Sequence, residues 1–369
     1  MSQIDRDWVS LESPTAPRAG HGSRPCQGLY HHESGTRPKV AYIATHYNVD
    51  FSEHYLAEYL ATRGFGFLGW NTRYRGNEAY FLLEPALQDI GVGVRWLREQ
   101  AGAETVVVLG NSGGGSLMAA YQSRATDTAV SDLGATDLGV SDLGAADLYI
   151  SLNSHAGRPE VLTAWLDPSV LDENDPVGAD PDLDMFARTP PYDADFVLRY
   201  RQAQVDRNQR ITDWSRGELA RLEGLGLYDR LFTLSRSWAD LRFADLTIDP
   251  STRVAGCYFG DPKRANYSPF GLGAACTLRT WLSMWSLDAS QCRGALHLPR
   301  ITVPSLVVQS TADRGVFPSD AQGIHDELAA TDKQLVWLPG EHYFEDGGRD
   351  GVADLIAGWT TARSGVRNG

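Results

Sequence analysis

Apolar and polar positions along this chain follow two different periods in turn. Between residues 39 and 125, short runs of β-branched and aromatic residues alternate with stretches that repeat every three to four positions. The run "KVAYIATHY" (39–47) predicts a strand, and "SEHYLAEYLATRG" (52–64) a helix with Ser52 as N-cap and Gly64 as its stop. "FGFLGW" (65–70) predicts a short strand, and "LEPALQDIGVGVRWLREQ" (83–100) a second helix. "TVVVLG" (105–110) has the continuous apolar content of a strand buried on both faces, and "GGSLMAAYQSRA" (114–125) predicts a third helix. Strands and helices alternating through short links predict an α/β protein with a mostly parallel, doubly wound sheet.

The alternation breaks twice. Residues 130–149 read "VSDLGATDLGVSDLGAADLY", four units of period five. Four such units would close only one coil of a pentapeptide-repeat solenoid, which needs several stacked coils to bury a core. A Gly-punctuated low-complexity loop, 126–146, prolonging the end of the third helix is the expectation. After the strand "DLYISLN" (147–153), the next one, "VPSLVVQS" (303–310), comes only after a stretch too long for a plain connection. Within it, 193–226 and 277–290 are helical by period, so 155–300 is expected to be an inserted, mainly helical cap. A helix (319–331), a strand (333–340) and a helix (350–362) complete the chain. The core is then 26–154 together with 301–369, preceded by an irregular arm, 1–25, rich in Pro, Gly and Ser.

Candidate chemistry sits where strands end. Gly110-Asn111-Ser112-Gly113-Gly114 fits G-x-S-x-G between a predicted strand and a predicted helix, the context that motif requires. A sharp strand-to-helix turn strains its central residue, and small neighbours relieve the crowding. A serine hydroxyl needs an adjacent base, itself oriented by a carboxylate. Asp313 follows the strand 303–310, and His342 follows the strand 333–340. Parallel strands deliver all three to one sheet edge. Asp320 and Asp346 are alternatives for the acid; His46 reads as structural, and Asn111 as a source of supporting hydrogen bonds.

The order nucleophile, acid, histidine resembles that of the α/β-hydrolase superfamily, in its cap-bearing branch. The resemblance covers roughly 39–125 and 301–362. "HYN" (46–48) stands where many members have His-Gly-x, and "RYRGNE" (73–78) is similar to their Arg-Gly loop. It implies a cofactor-free serine hydrolase acting on a carboxylic ester or lactone, with an oxyanion hole made of the backbone N–H groups of Gly113 and Asn48. Tyr47 replaces the usual glycine and leaves the donor open between 47 and 48. The missing HGGG run argues against the hormone-sensitive-lipase type, and Ser in place of Asp argues against epoxide hydrolase and dehalogenase chemistry. An amide or a carbon–carbon bond would suit the same triad, and a non-catalytic ligand receptor on this fold is the reading from another class.

Composition narrows the partners. With 33 basic and 47 acidic residues the net charge is −14, which repels nucleic acid and anionic lipid. No apolar stretch approaches the roughly 20 residues of a membrane helix. The N-terminus lacks the basic-then-apolar pattern of a secretory signal. Cys26, Cys257, Cys276 and Cys292 show no CxxC spacing, so a soluble protein of a reducing cytoplasm, with a small-molecule substrate, is expected; the oligomeric state stays open. "DPDLDMF" (180–186) imitates half an EF-hand loop, but Met185 stands where glycine is needed and Pro191 where the bidentate glutamate belongs. His31-His32 has no ligating neighbours, so no metal is expected. Trp165, Trp214, Trp238, Trp281 and Trp285 fall in the cap, where most are expected to pack it against the sheet; the alternative is that they line a pocket for a bulky apolar acyl or alcohol group of the substrate.

Overall fold

In the computed structural model, residues 3–12, 26–126 and 143–365 are described. Most of the five-residue repeat and of the loop 126–146 lies outside them. Strands β1 (Ile4–Leu11), β2 (Cys26–Glu33), β3 (Val40–Thr45), β4 (Gly66–Asn71), β5 (Thr105–Ser112), β6 (Leu148–Ser154), β9 (Ser305–Ser310) and β10 (Lys333–Leu338) form one sheet in the order β1-β2-β4-β3-β5-β6-β9-β10. From β4 to β10 every pairing is parallel; β2 runs against both of its neighbours. A separate two-stranded ribbon, β7 (Leu231–Thr233) with β8 (Ala275–Thr277), lies between β6 and β9 in the chain.

Alternation along the central strands sorts side chains between two cores. Ala41, Ile43, Val106, Val108 and Tyr149 face one side, under α2 (Leu83–Trp96) and α3 (Gly114–Thr126). Val40, Tyr42, Ala44, Val107, Leu109, Ile150 and Leu152 face the other, under α1 (Ala57–Ala61) and the C-terminal helix. Both faces are dry, which is why these strands read as continuous apolar runs. Each large apolar side chain buried this way contributes about 1.5–3 kcal/mol.

Three expectations need correction. Residues 4–11 form β1, not an irregular arm, pairing antiparallel with β2 from Ile4↔Glu33 to Leu11↔Cys26. Only Val9 of this strand is buried. Its Asp5, Arg6 and Asp7 follow the charged habit of an edge strand and hide the β signal. The helix expected over 52–64 begins only at Ala57. The backbone N–H groups of Phe51 and Ser52 are taken instead by Asn71 Oδ1 (2.8 Å) and Asp50 Oδ1 (2.8 Å). The helix expected over 277–290 ends at Trp285. There the side chain of Asn208 donates to the Trp285 carbonyl (2.9 Å) and accepts from the Leu287 N–H (3.0 Å), pulling the chain out of its helical path.

Between β6 and β9 run α4 (Arg158–Trp165), the long α5 (Ala194–Glu223), the β7–β8 ribbon and extended connections. Of the five tryptophans in this stretch, four are buried and Trp214 is 41% exposed. Helices α6 (Pro318–Glu327) and α7 (Gly348–Thr361) flank the last two strands. Among the described residues no helix is long and apolar enough to cross a membrane.

Candidate active site

The chain leaves β3 toward β4 on one side, and returns through α2 to place β5 on the other side of β3. Open α/β sheets bind ligands at the carboxyl end of such a switch point. Ser112 ends β5 there with φ +56°, a strained backbone for a residue with a side chain. The surrounding glycines are sterically required. A Cβ on Gly110 would lie 2.6 Å from the Gly115 Cα, and one on Gly114 would lie 2.3 Å from the Thr45 carbonyl oxygen. Helix α3 is thereby packed tightly enough against β3 and β5 to leave Ser112 on the wall of a cavity of about 550 Å³.

Asp313 and His342 meet beside that cavity. His342 Nδ1 donates to Asp313 Oδ2 at 2.6 Å, and both residues are buried. Asp313 Oδ1 accepts the N–H groups of Gly315 (2.9 Å) and Val316 (3.1 Å). Burial pushes the Asp313 carboxyl up, but His342 and these N–H groups outweigh it and hold it below the usual range. Nε2 of His342 is buried without a hydrogen-bond partner among the described residues, so Ser112 and His342 share a cavity wall with no hydrogen bond between them. Asp320 lies elsewhere, accepting the Phe317 N–H (2.9 Å) near Arg242, and burial raises its carboxyl to about 6. Asp346 stands at φ +57° in the loop after His342 and shows no bond to the imidazole.

The turn after β3 forms the opposite wall. The Asn48 N–H faces His46 Nδ1 at 3.4 Å, and the Val49 N–H faces it at 3.3 Å. Burial, with Arg158 nearby, holds His46 well below the ordinary histidine range, so the ring is neutral. The Tyr47 ring is fully buried and its hydroxyl meets Ser116 Oγ at 3.0 Å. Asn111 supports the turn by donating to the Leu152 carbonyl (2.8 Å), while His54 Nε2 lies 3.1 Å from its Oδ1.

Several residues at this site went unnoticed in the sequence. Tyr258, from the stretch between β6 and β9, donates its hydroxyl to Asp313 Oδ1 at 2.9 Å and lies 3.0 Å from His342 Nδ1. Burial and Asp313 keep that phenol far above its usual range, so it remains a donor. Gly315 makes room for it, since a Cβ there would fall 2.3 Å from the Tyr258 ring. Asn153, at φ +42° just before the end of β6, donates to the His342 carbonyl (2.7 Å) and accepts the Ser310 N–H (2.7 Å). Arg158, at the start of α4, reaches the same cavity beside Glu78. None of these lies in a motif; each is defined by a partner far away in the chain.

No family model matches the chain, and no curated protein matches it in sequence. Solved structures do. The chain is similar to the α/β hydrolase GrgF from Penicillium sp. sh18, with 12% identity over 98% of this chain and 100% of that one, at a TM-score of 0.54. It is also similar to DcsB in complex with its substrate analogue (12%, 98% and 100%, 0.53). Est1E from Butyrivibrio proteoclasticus aligns at 12% identity over 92% and 94%, with a TM-score of 0.50. The chain thus shares the α/β-hydrolase fold with these structures.

Proposed function

We propose that this protein is a serine hydrolase that cleaves a carboxylic ester or lactone through an acyl-enzyme on Ser112. The observation that carries this reading is His342, which lines one cavity with the strained Ser112, its Nδ1 tied to Asp313 and its Nε2 without a hydrogen-bond partner among the described residues. With Nδ1–H held by the carboxylate, Nε2 is the basic nitrogen and can take the serine proton. Ser112 Oγ then attacks the carbonyl. The oxyanion falls to the Gly113 N–H and a second N–H from the Tyr47–Asn48 turn, each contributing about 3 kcal/mol. Collapse expels the alcohol, protonated by His342, and water repeats the sequence on the acyl-enzyme. No cofactor takes part in this scheme.

On this reading, 155–300 works as a cap. Trp165, Trp238 and Tyr258 from that stretch line the cavity facing Ser112, and would exclude bulk water from the reacting groups.

Incubation with a fluorophosphonate, followed by peptide mass spectrometry, tests the assignment. A single adduct on Ser112, absent from Ser112→Ala, is the expected result. A folded sample that takes no adduct, or takes it on another serine, overturns it.

Tyr258→Phe probes the cap's share in the acid–base pair. Hydrogen bonds to charged groups contribute about 1.5–3 kcal/mol. Losing this one should cut kcat about tenfold or more, slow fluorophosphonate labelling in parallel, and leave KM nearly unchanged. If kcat and the labelling rate match the wild type, the hydroxyl only closes a loop.

A further inference from the structure

Arg158 is 2% exposed, yet most of its donors are unspent. A guanidinium carries five N–H groups. Nη2 donates to Glu78 Oε2 at 3.1 Å. Nε is buried and unpartnered among the described residues, and Nη1 makes no hydrogen bond there. Two aromatic rings flank the guanidinium, with Cζ 4.9 Å from the Tyr47 centroid and 4.5 Å from that of Trp285. Glu78 is itself anchored, accepting the Gly273 N–H at 3.3 Å.

The position of this group is as telling as its vacant donors. A Cβ on Gly113 would lie 2.7 Å from Arg158 Nη1 and 2.7 Å from His46 Nε2. Glycine after the serine thus clears the space in which the guanidinium sits, one residue from Ser112 and on the same cavity wall. Buried donors left without partners are costly, and sites with such donors reject ligands that cannot satisfy them. The N–H groups left on Nη1 of a cation match an anionic oxygen such as that of a carboxylate best.

We propose that the substrate carries a carboxylate a few bonds from its scissile carbonyl, and that Arg158 is the residue that binds it. This rests on the serine-hydrolase reading above. The substrate class is then a half-ester or lactone of a dicarboxylic acid, not a simple fatty ester. Arg158 Nη1 receives the carboxylate, while the carbonyl lies over Ser112 and the N–H of Gly113.

Matched esters test this on the unaltered protein. The ratio of kcat/KM for para-nitrophenyl hemisuccinate to that for para-nitrophenyl pentanoate should favour the acid by about 10- to 100-fold. In Arg158→Met/Glu78→Gln, which removes both buried charges together, the ratio should fall to near one. Thermal unfolding verifies that this variant folds; if it does not, the wild-type ratio decides alone. Cleavage of the pentanoate as fast as the hemisuccinate overturns the carboxylate proposal and leaves the hydrolase standing. Equal losses on both esters in the variant place Arg158 on the oxyanion, which also overturns it. No cleavage of either ester, together with no fluorophosphonate adduct, removes the hydrolase reading and this one with it.

Discussion

Ser112→Ala, His342→Ala and the double variant are expected to share one floor, about 10⁴- to 10⁶-fold below the wild-type kcat. In the proposed mechanism the serine proton has one place to go, the Nε2 of an imidazole whose other nitrogen is fixed 2.6 Å from Asp313. Removing either partner removes the whole step, so the second substitution has nothing left to subtract. What survives comes from the oxyanion donors and from substrate binding, which these variants leave in place. Single-turnover kinetics on an activated ester, with all three variants at equal concentration, measures the floor. A double variant that is the product of the two single losses would mean that Ser112 and His342 act separately, and the proposed mechanism would fall.

Mild acid should unfold this protein. Burial holds His54 and His155 at about 3, His297 at about 4 and His46 well below its usual range, so the folded chain keeps these rings neutral. An unfolded chain protonates each near pH 6.5. For a base whose folded value is depressed, stability is full above pH 6.5 and is lost as pH falls below it. Each ring then costs about 1.4 kcal/mol per pH unit, and four together cost about 5.5 kcal/mol per unit. Asp320, raised to about 6, and Glu78 and Glu327, which burial also raises, work the other way, since the folded chain holds their protons more tightly. Burial depresses His31 as well, and three carboxyls do not offset five imidazoles. Urea midpoints at pH 7.5 and pH 5 should therefore differ widely, and His54→Gln should reduce the difference. Equal midpoints would mean that these rings are hydrated or protonated in the folded state.

What could be read from the chain depended on how local its cause was. The buried strands announced themselves because both faces are covered, and Gly110 to Gly114 because a tight turn and close backbone contacts demand small residues. Asp313 and His342 were legible by their place after strands, and the structure brings them into contact. Tyr258, Arg158 and Asn153 were not. A phenol 55 residues from its carboxylate, or a guanidinium 80 residues from its glutamate, leaves no periodic trace. The same holds for the helix expected from Ser52, where side chains of Asp50 and Asn71 took over the backbone donors. In β1, charges suited to a sheet edge masked the strand.

The bond from Tyr258 to Asp313 has a bearing on engineering. Through it the stretch between β6 and β9 touches a carboxylate carried by the sheet, and the absence of a side chain at Gly315 leaves room for the ring. On the proposed mechanism, a graft that exchanged 155–300 for another insertion would alter selectivity and proton transfer in one stroke. The two would have to be retuned together.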